Sequence, residues 1–212
     1  VWQGQLQQEE SVSTLGALMV ILQMALIVLI TPSLAAGLIS GERESGGWAL
    51  LQITPLSTFS IVTGKLMSAA WTVALILLAT LPGYAMMILI EPQTLDQVLH
   101  VLVMLALMAV LAVLLSAAIS SLFRNTAAST ATAYALLVAI CVGPILFWLG
   151  ENAPFSRALV ETVLPISPLA TGLAMIEAPG FAGYGLWPIS GYLVGGMCAV
   201  SLLVLMVQTW RL

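Results

Sequence analysis

The residues able to do chemistry are few, and three of them are adjacent. Glu42, Arg43 and Glu44 open the stretch GERESGGWALLQITPLSTFSIVTGK, which closes on Lys65. Two acids around a base suit ionic contact with a partner. They do not suit catalysis, because carboxylates two residues apart diverge on a helix instead of meeting at one substrate. Bond-making chemistry has no other support. The chain holds a single histidine (His100), no Gly-x-Ser-x-Gly turn and no His/Cys cluster, which removes the usual acid–base, nucleophilic and metal constellations. Gly64-Lys65 is followed by Leu66 rather than Ser or Thr, so it is not a phosphate-cradling loop. The chain is expected to carry no metal and no cofactor and to hydrolyse no nucleotide itself. Cys141 and Cys198 lie in apolar runs and read as small buried hydrophobes.

Composition says what must position the charged stretch. Of 212 residues, 61% are hydrophobic and 7% charged, with a mean hydropathy of +1.12. A soluble domain carries about 25% charged residues, so this chain cannot cover a water-facing surface. It reads as all-α, a polytopic transmembrane helical bundle forming one domain over residues 1–212. Five runs reach the roughly 20 apolar residues that a spanning helix needs: 14–40, 66–90, 98–123, 127–149 and 186–208. None has the alternating pattern of an outer-membrane barrel strand. With five Lys and Arg among only fourteen formal charges, no basic patch exists for nucleic acid.

Those bases also orient the chain. Arg43, Lys65, Arg124 and Arg211 fall on one side of the spans and Arg157 alone on the other. Excess Lys and Arg marks the cytoplasmic face, so the 41–65 loop and the 121–126 turn are expected inside and the 150–185 loop outside. Five spans then start the chain outside. Together with Val1 in place of Met, this leads to the expectation of a sixth span before Val1. No charge lies within a span, so the intramembrane acids of proton- or ion-coupled carriers are missing. The hydroxyl-rich NTAASTATAYALL of the fourth span suits close packing in the bundle, or a subunit or substrate contact. Pro82-Gly83 and Gly143-Pro144 are expected to kink their helices.

Within the 41–65 loop, Ser45 is placed to cap a short helix starting near Gly46, with Trp48, Leu50 and Leu51 on its apolar face. Pro55 ends that helix, and Ser57 can cap the next one as it runs into the second span. An interfacial turn without a partner is the plainer reading of the same pattern. The outer loop carries an apolar stretch too short to span, between Pro154 and Pro179, which suits a partly re-entrant lid.

These residues together resemble the permease subunits of type-2 ATP-binding-cassette exporters. The resemblance rests on Ile39-Ser40-Gly41-Glu42-Arg43-Glu44-Ser45-Gly46, Leu50-Leu51, Thr54-Pro55-Leu56-Ser57 and Gly64-Lys65-Leu66. Two later runs also fit, Ser121-Leu122-Phe123-Arg124-Asn125-Thr126 and Leu164-Pro165-Ile166-Ser167-Pro168-Leu169. It implies a coupling helix in which Glu42, Arg43, Glu44, Gly46, Trp48, Leu50, Leu51, Pro55 and Leu56 meet a cytoplasmic P-loop ATPase subunit, which holds the ATP and Mg. Gly64 and Lys65 would form the hinge into the span, and Pro165 and Pro168 the outer lid. It further implies a homodimer or heterodimer of permeases amid membrane lipids, in a bacterial cytoplasmic (inner) membrane. Gly47 departs from the Thr or Ser of many members, and six spans are usual in the family. From a different class, a non-transporting assembly or regulatory subunit could dock a cytoplasmic partner through the same loop. The apolar spans, with scattered hydroxyls and aromatics, fit lipids, lipid-linked sugars, amphipathic drugs or peptides as cargo.

Overall fold

Inside lipid no water is at hand for the backbone, so a spanning segment must close its own hydrogen bonds. A chain this rich in Leu, Ala and Met, all good helix formers, closes them as helices. The computed structural model describes residues 2–47, 57–149 and 156–211, and among them there is helix and no strand. The order is α1 (Trp2–Ala35), α2 (Ser40–Glu44), α3 (Thr58–Ile90), α4 (Leu95–Leu122), α5 (Thr126–Leu149), α6 (Arg157–Val163), α7 (Pro168–Met175) and α8 (Ile189–Arg211). Short 3-10 turns at Pro92–Thr94 and Leu164–Ile166 precede α4 and α7.

Five stretches are long and apolar enough to cross a membrane: Ser13–Glu44, Thr58–Ile90, Pro92–Leu122, Thr126–Leu149 and Ile189–Arg211. The expected all-α bundle of five spans is what the chain forms. Its outward faces carry Leu22, Leu29, Met67, Trp71, Leu89 and Leu203 exposed, a surface that suits hydrocarbon and not water.

Helix starts follow local capping chemistry. Ser57 Oγ accepts from the Ser60 N–H at 3.2 Å and Asn125 Oδ1 from the Ala128 N–H at 3.1 Å, so each satisfies an amide that the first helical turn leaves free. α3 therefore begins at Thr58, as the expected Ser57 cap requires, eight residues before the apolar run at 66, and Gly64-Lys65 fall inside an unbroken helix. Pro82 and Pro144 likewise lie within continuous helices.

The helices divide between two compact units. One comprises residues 1–25, 76–107 and 139–193, the other 26–75, 108–138 and 194–212. The charges divide with them. Arg43, Lys65, Arg124 and Arg211 all belong to the second unit, with Glu42 and Glu44; the first has the remaining seven acids and Arg157 as its one Lys or Arg.

In the first unit, Arg157–Ile166 and Pro168–Met175 form a helix pair bent by 105°. The joint is built by proline and serine. Pro168 opens α7, where a missing N–H costs nothing, and Ser167 caps it by accepting from the Ala170 N–H at 3.1 Å. Ser167 Oγ also donates to the Cys141 carbonyl at 2.5 Å, in the turn of α5 that Pro144 crowds and partly strips of its bonds. Gly180, at φ 86°, is held to glycine a second time by Trp148, whose ring would lie 2.9 Å from a Cβ there.

Candidate functional site

The second unit contains the charged triad, and the triad follows a break in a helix. α1 ends at Ala35 and α2 resumes at Ser40, so the backbone groups around the break lose their partners along the chain. Hydroxyls replace them. Ser120 Oγ of α4 accepts from the N–H groups of Ile39 (2.9 Å) and Ser40 (3.0 Å), and the Ala36 carbonyl accepts from Ser40 Oγ (2.9 Å) and from Ser129 Oγ of α5 (2.7 Å). Ser120, Ser40 and Ser129 are all fully buried.

Small residues permit this closeness. Cβ atoms added at Gly37 and Gly41 would sit 3.4 and 3.6 Å from the Thr126 methyl. The first helix thus presents a small-residue face four residues apart to the start of α5, the arrangement by which helices approach in lipid. Apolar side chains close over it in two clusters. Ile39, Val62, Ala117, Ala118 and Leu205 form one; Ala36, Ile119 and Ala133 form the other.

From this clamp α2 sends its three charges to three different helices. Glu42 Oε1 accepts from Lys65 Nζ of α3 at 2.5 Å, and Lys65 also donates to the Leu38 carbonyl at 3.3 Å. Arg43 Nη1 donates to the Ser121 carbonyl of α4 at 3.0 Å. Glu44 Oε2 accepts from the N–H of Thr126 at 2.8 Å and from its hydroxyl. Placing a carboxylate on the first amide of α5 favours the positive end of that helix dipole. The two acids do diverge, as their spacing requires.

Ser45 is the C-cap of α2, Gly46 turns left-handed at φ 74°, and helix resumes at Gly47, one residue beyond the expected start near Gly46. A left-handed residue after a helix is ordinarily glycine because a Cβ would clash with its own backbone. Ser45 Oγ still accepts from the Gly47 N–H, at 3.4 Å. Gly47 leaves room for Glu42, whose Oε2 would lie 2.5 Å from a Cβ.

Of the residues singled out from sequence, Glu42, Arg43, Glu44, Gly46 and Lys65 come together in this region, with Gly64 beside Lys65 in α3. Trp48, Leu50, Leu51, Pro55 and Leu56 lie outside the described residues. Pro165 and Pro168 belong to the bent pair of the first unit, within the 3-10 turn and at the first position of α7. Of the clamp serines, Ser129 falls in the hydroxyl-rich stretch of the fourth span, and Ser120 was not anticipated. Their signal was present: hydroxyls among small residues in apolar helices, which lipid leaves few other ways to satisfy.

Five apolar spans, a broken first span clamped by hydroxyls, and charges tying that break to three other helices define a multi-pass helical membrane protein. The chain belongs to the ABC-2 family of transporter proteins: the model described as ABC-2 family transporter protein matches residues 3–207, nearly the full length. Among curated proteins none matches the chain. It is a transporter permease.

Proposed function

We propose that this permease is the transmembrane subunit of an ATP-driven exporter, forming a translocation path and drawing its drive from separate cytoplasmic ATPase subunits. One observation carries the reading: the short helix α2 is bonded at once to α3 through Lys65, to α4 through Ser121 and to α5 through Thr126. Displacement of the segment that follows α2 is therefore passed to three spanning helices together and not absorbed in a loose loop.

In this reading the ATP and Mg sit on the partner, and Trp48, Leu50 and Leu51 seat in a groove of the ATPase as apolar anchors. Glu42, Arg43 and Glu44 stand near the rim, where charges set register and association rate more than affinity. Four of five bases in one unit orient that unit toward the cytoplasm, in a bacterial inner membrane. Two permeases, identical or related, pair with two ATPases. The bent pair with Pro165 and Pro168 acts as the outer lid.

The test is an affinity pull-down of the full-length protein in mild detergent, comparing wild type with Leu51→Asp and Glu44→Lys. Co-purification of a P-loop ATPase with wild type, lost in both variants while membrane insertion persists, is the expected result. Retention of the ATPase by both variants would overturn the coupling role. No ATPase in any sample would favour instead an assembly subunit that docks some other partner through the 41–65 loop.

A further inference from the structure

Gln23 is the only Asn or Gln set well inside any of the five spanning helices. It is 1% exposed, and neither its Nε2 nor its Oε1 has a hydrogen-bond partner among the described residues. Tyr84, also 1% exposed, has an equally unpartnered hydroxyl. An amide offers two donors and an acceptor, and a phenol one donor and an acceptor. Buried polar groups in folded proteins are nearly always paired, so an unpaired one needs a cause. Lipid sharpens that need, because hydrocarbon supplies no hydrogen bonds.

The contacts of the first unit set the two groups on neighbouring turns of one helix contact. A Cβ at Gly83 would come 2.8 Å from Met19 Cε, and one at Gly16 would come 2.7 Å from Met87 Cε. α1 and α3 therefore lie in antiparallel contact, with Gln23 and Tyr84 on either side of the Met19–Gly83 crossing. Helical side chains lean toward the N-terminus of their own helix. In an antiparallel pair in this register, that lean carries each side chain along its own helix toward the Met19–Gly83 level.

The bent pair crosses the same face of α1. A Cβ at Gly172 would lie 2.9 Å from Val20, and one at Gly16 would lie 3.2 Å from Ile176. This antiparallel register brings the Pro168 end of α7, the joint of the 105° bend, level with Gln23. Ser167 at the joint is already engaged by Cys141 and Ala170, so it does not satisfy the amide. Unpaired polar groups beside a broken helix are what substrate sites in transporters are made from, because both remain available to a ligand.

We propose that Gln23 and Tyr84, at the joint of the bent pair, form a hydrogen-bonding subsite of the translocation path. Its ligand is a neutral polar group (a hydroxyl, amide or ester carbonyl) on an otherwise apolar substrate. Neutrality follows from the spans, whose interiors supply no charge to pair with an ionised group. The proposal rests on the transporter reading and narrows its cargo to neutral amphipathic molecules.

The experiment is thiol accessibility in membrane vesicles containing the full-length protein, with Cys141→Ala and Cys198→Ala as background. Gln23→Cys and Tyr84→Cys are compared with Leu22→Cys, the neighbour that is 64% exposed on the lipid-facing surface. A charged methanethiosulfonate attacks only a water-accessible thiolate, so Gln23→Cys and Tyr84→Cys should react about ten-fold faster than Leu22→Cys. Equal protection of all three would overturn the subsite. As a second measurement, Gln23→Leu should leave the thermal unfolding midpoint unchanged or raise it, because no protein bond is lost. A clear fall would mean that Gln23 holds structural bonds and would overturn it too. Labelling needs no ATPase, so its failure is distinct from a failed ATPase pull-down, which removes the drive and not the subsite.

Discussion

Two polar regions of this molecule are built on opposite terms. Around the helix break at Ala36–Ser40, the Ile39 and Ser40 amides and the Ala36 carbonyl meet buried hydroxyls, and the three charges of α2 each reach a different helix. On the α1–α3 face of the other unit, Gln23 and Tyr84 are just as buried and have no partner among the described residues. A satisfied network holds one geometry, since any displacement breaks several bonds together. An unsatisfied pair gains from a change of surroundings. The first suits a joint that transmits motion; the second suits a place that something enters.

Three experiments sharpen or break that contrast, taken from the largest expected effect down. Ser120→Ala leaves the Ile39 and Ser40 amides buried without an acceptor, at a cost of about 1–3 kcal/mol. Thermal unfolding in detergent should show a clear drop, and Ser120→Thr should recover much of it. A midpoint equal to wild type would mean that packing alone holds the break. Next comes the Lys65–Glu42 pair, whose side chains remain 31% and 32% exposed. A double-mutant cycle with Lys65→Met and Glu42→Gln should give a coupling of about 0.5–1 kcal/mol, reduced by solvent screening. Additive effects would show that the pair does not bind α2 to α3. Smallest is Tyr84→Phe, expected within about 0.5 kcal/mol of wild type, since the hydroxyl has no bond to lose. A large destabilisation there would erase the contrast.

Much of the charged region was legible in the chain. Glu42 and Glu44 were expected to diverge, and they do, because residues two apart on a helix point different ways. Ser57 was expected to start the second span's helix, and its hydroxyl caps it. The fourth span's hydroxyls were open to packing or partner contact; Ser129, Tyr134 and Thr126 turn out to bond within the bundle, to Ala36, Leu29 and Glu44. Ser45 was expected before a helix near Gly46, and helix does resume at Gly47; that Ser45 also ends α2, with Gly46 left-handed between the two, was not legible in a serine before two glycines.

The proline-marked outer stretch was read as re-entrant, and it folds as a bent pair. The register that sets its joint beside Gln23 had no trace in the sequence. Gln23 itself stood in plain view as a lone amide in an apolar run, yet a search for charges passes over it.

Composition alone determined that this protein is a membrane-spanning helical bundle: with 7% charged residues the chain has no other way to satisfy both its side chains and its backbone. Spacing alone determined where the spans fall and which side gathers the bases. Tertiary structure decided which polar groups are paired. Hydrogen bonding acts over about 3 Å, and whether Ser120 finds a broken helix or Gln23 finds nothing depends on how helices distant in sequence are set against one another.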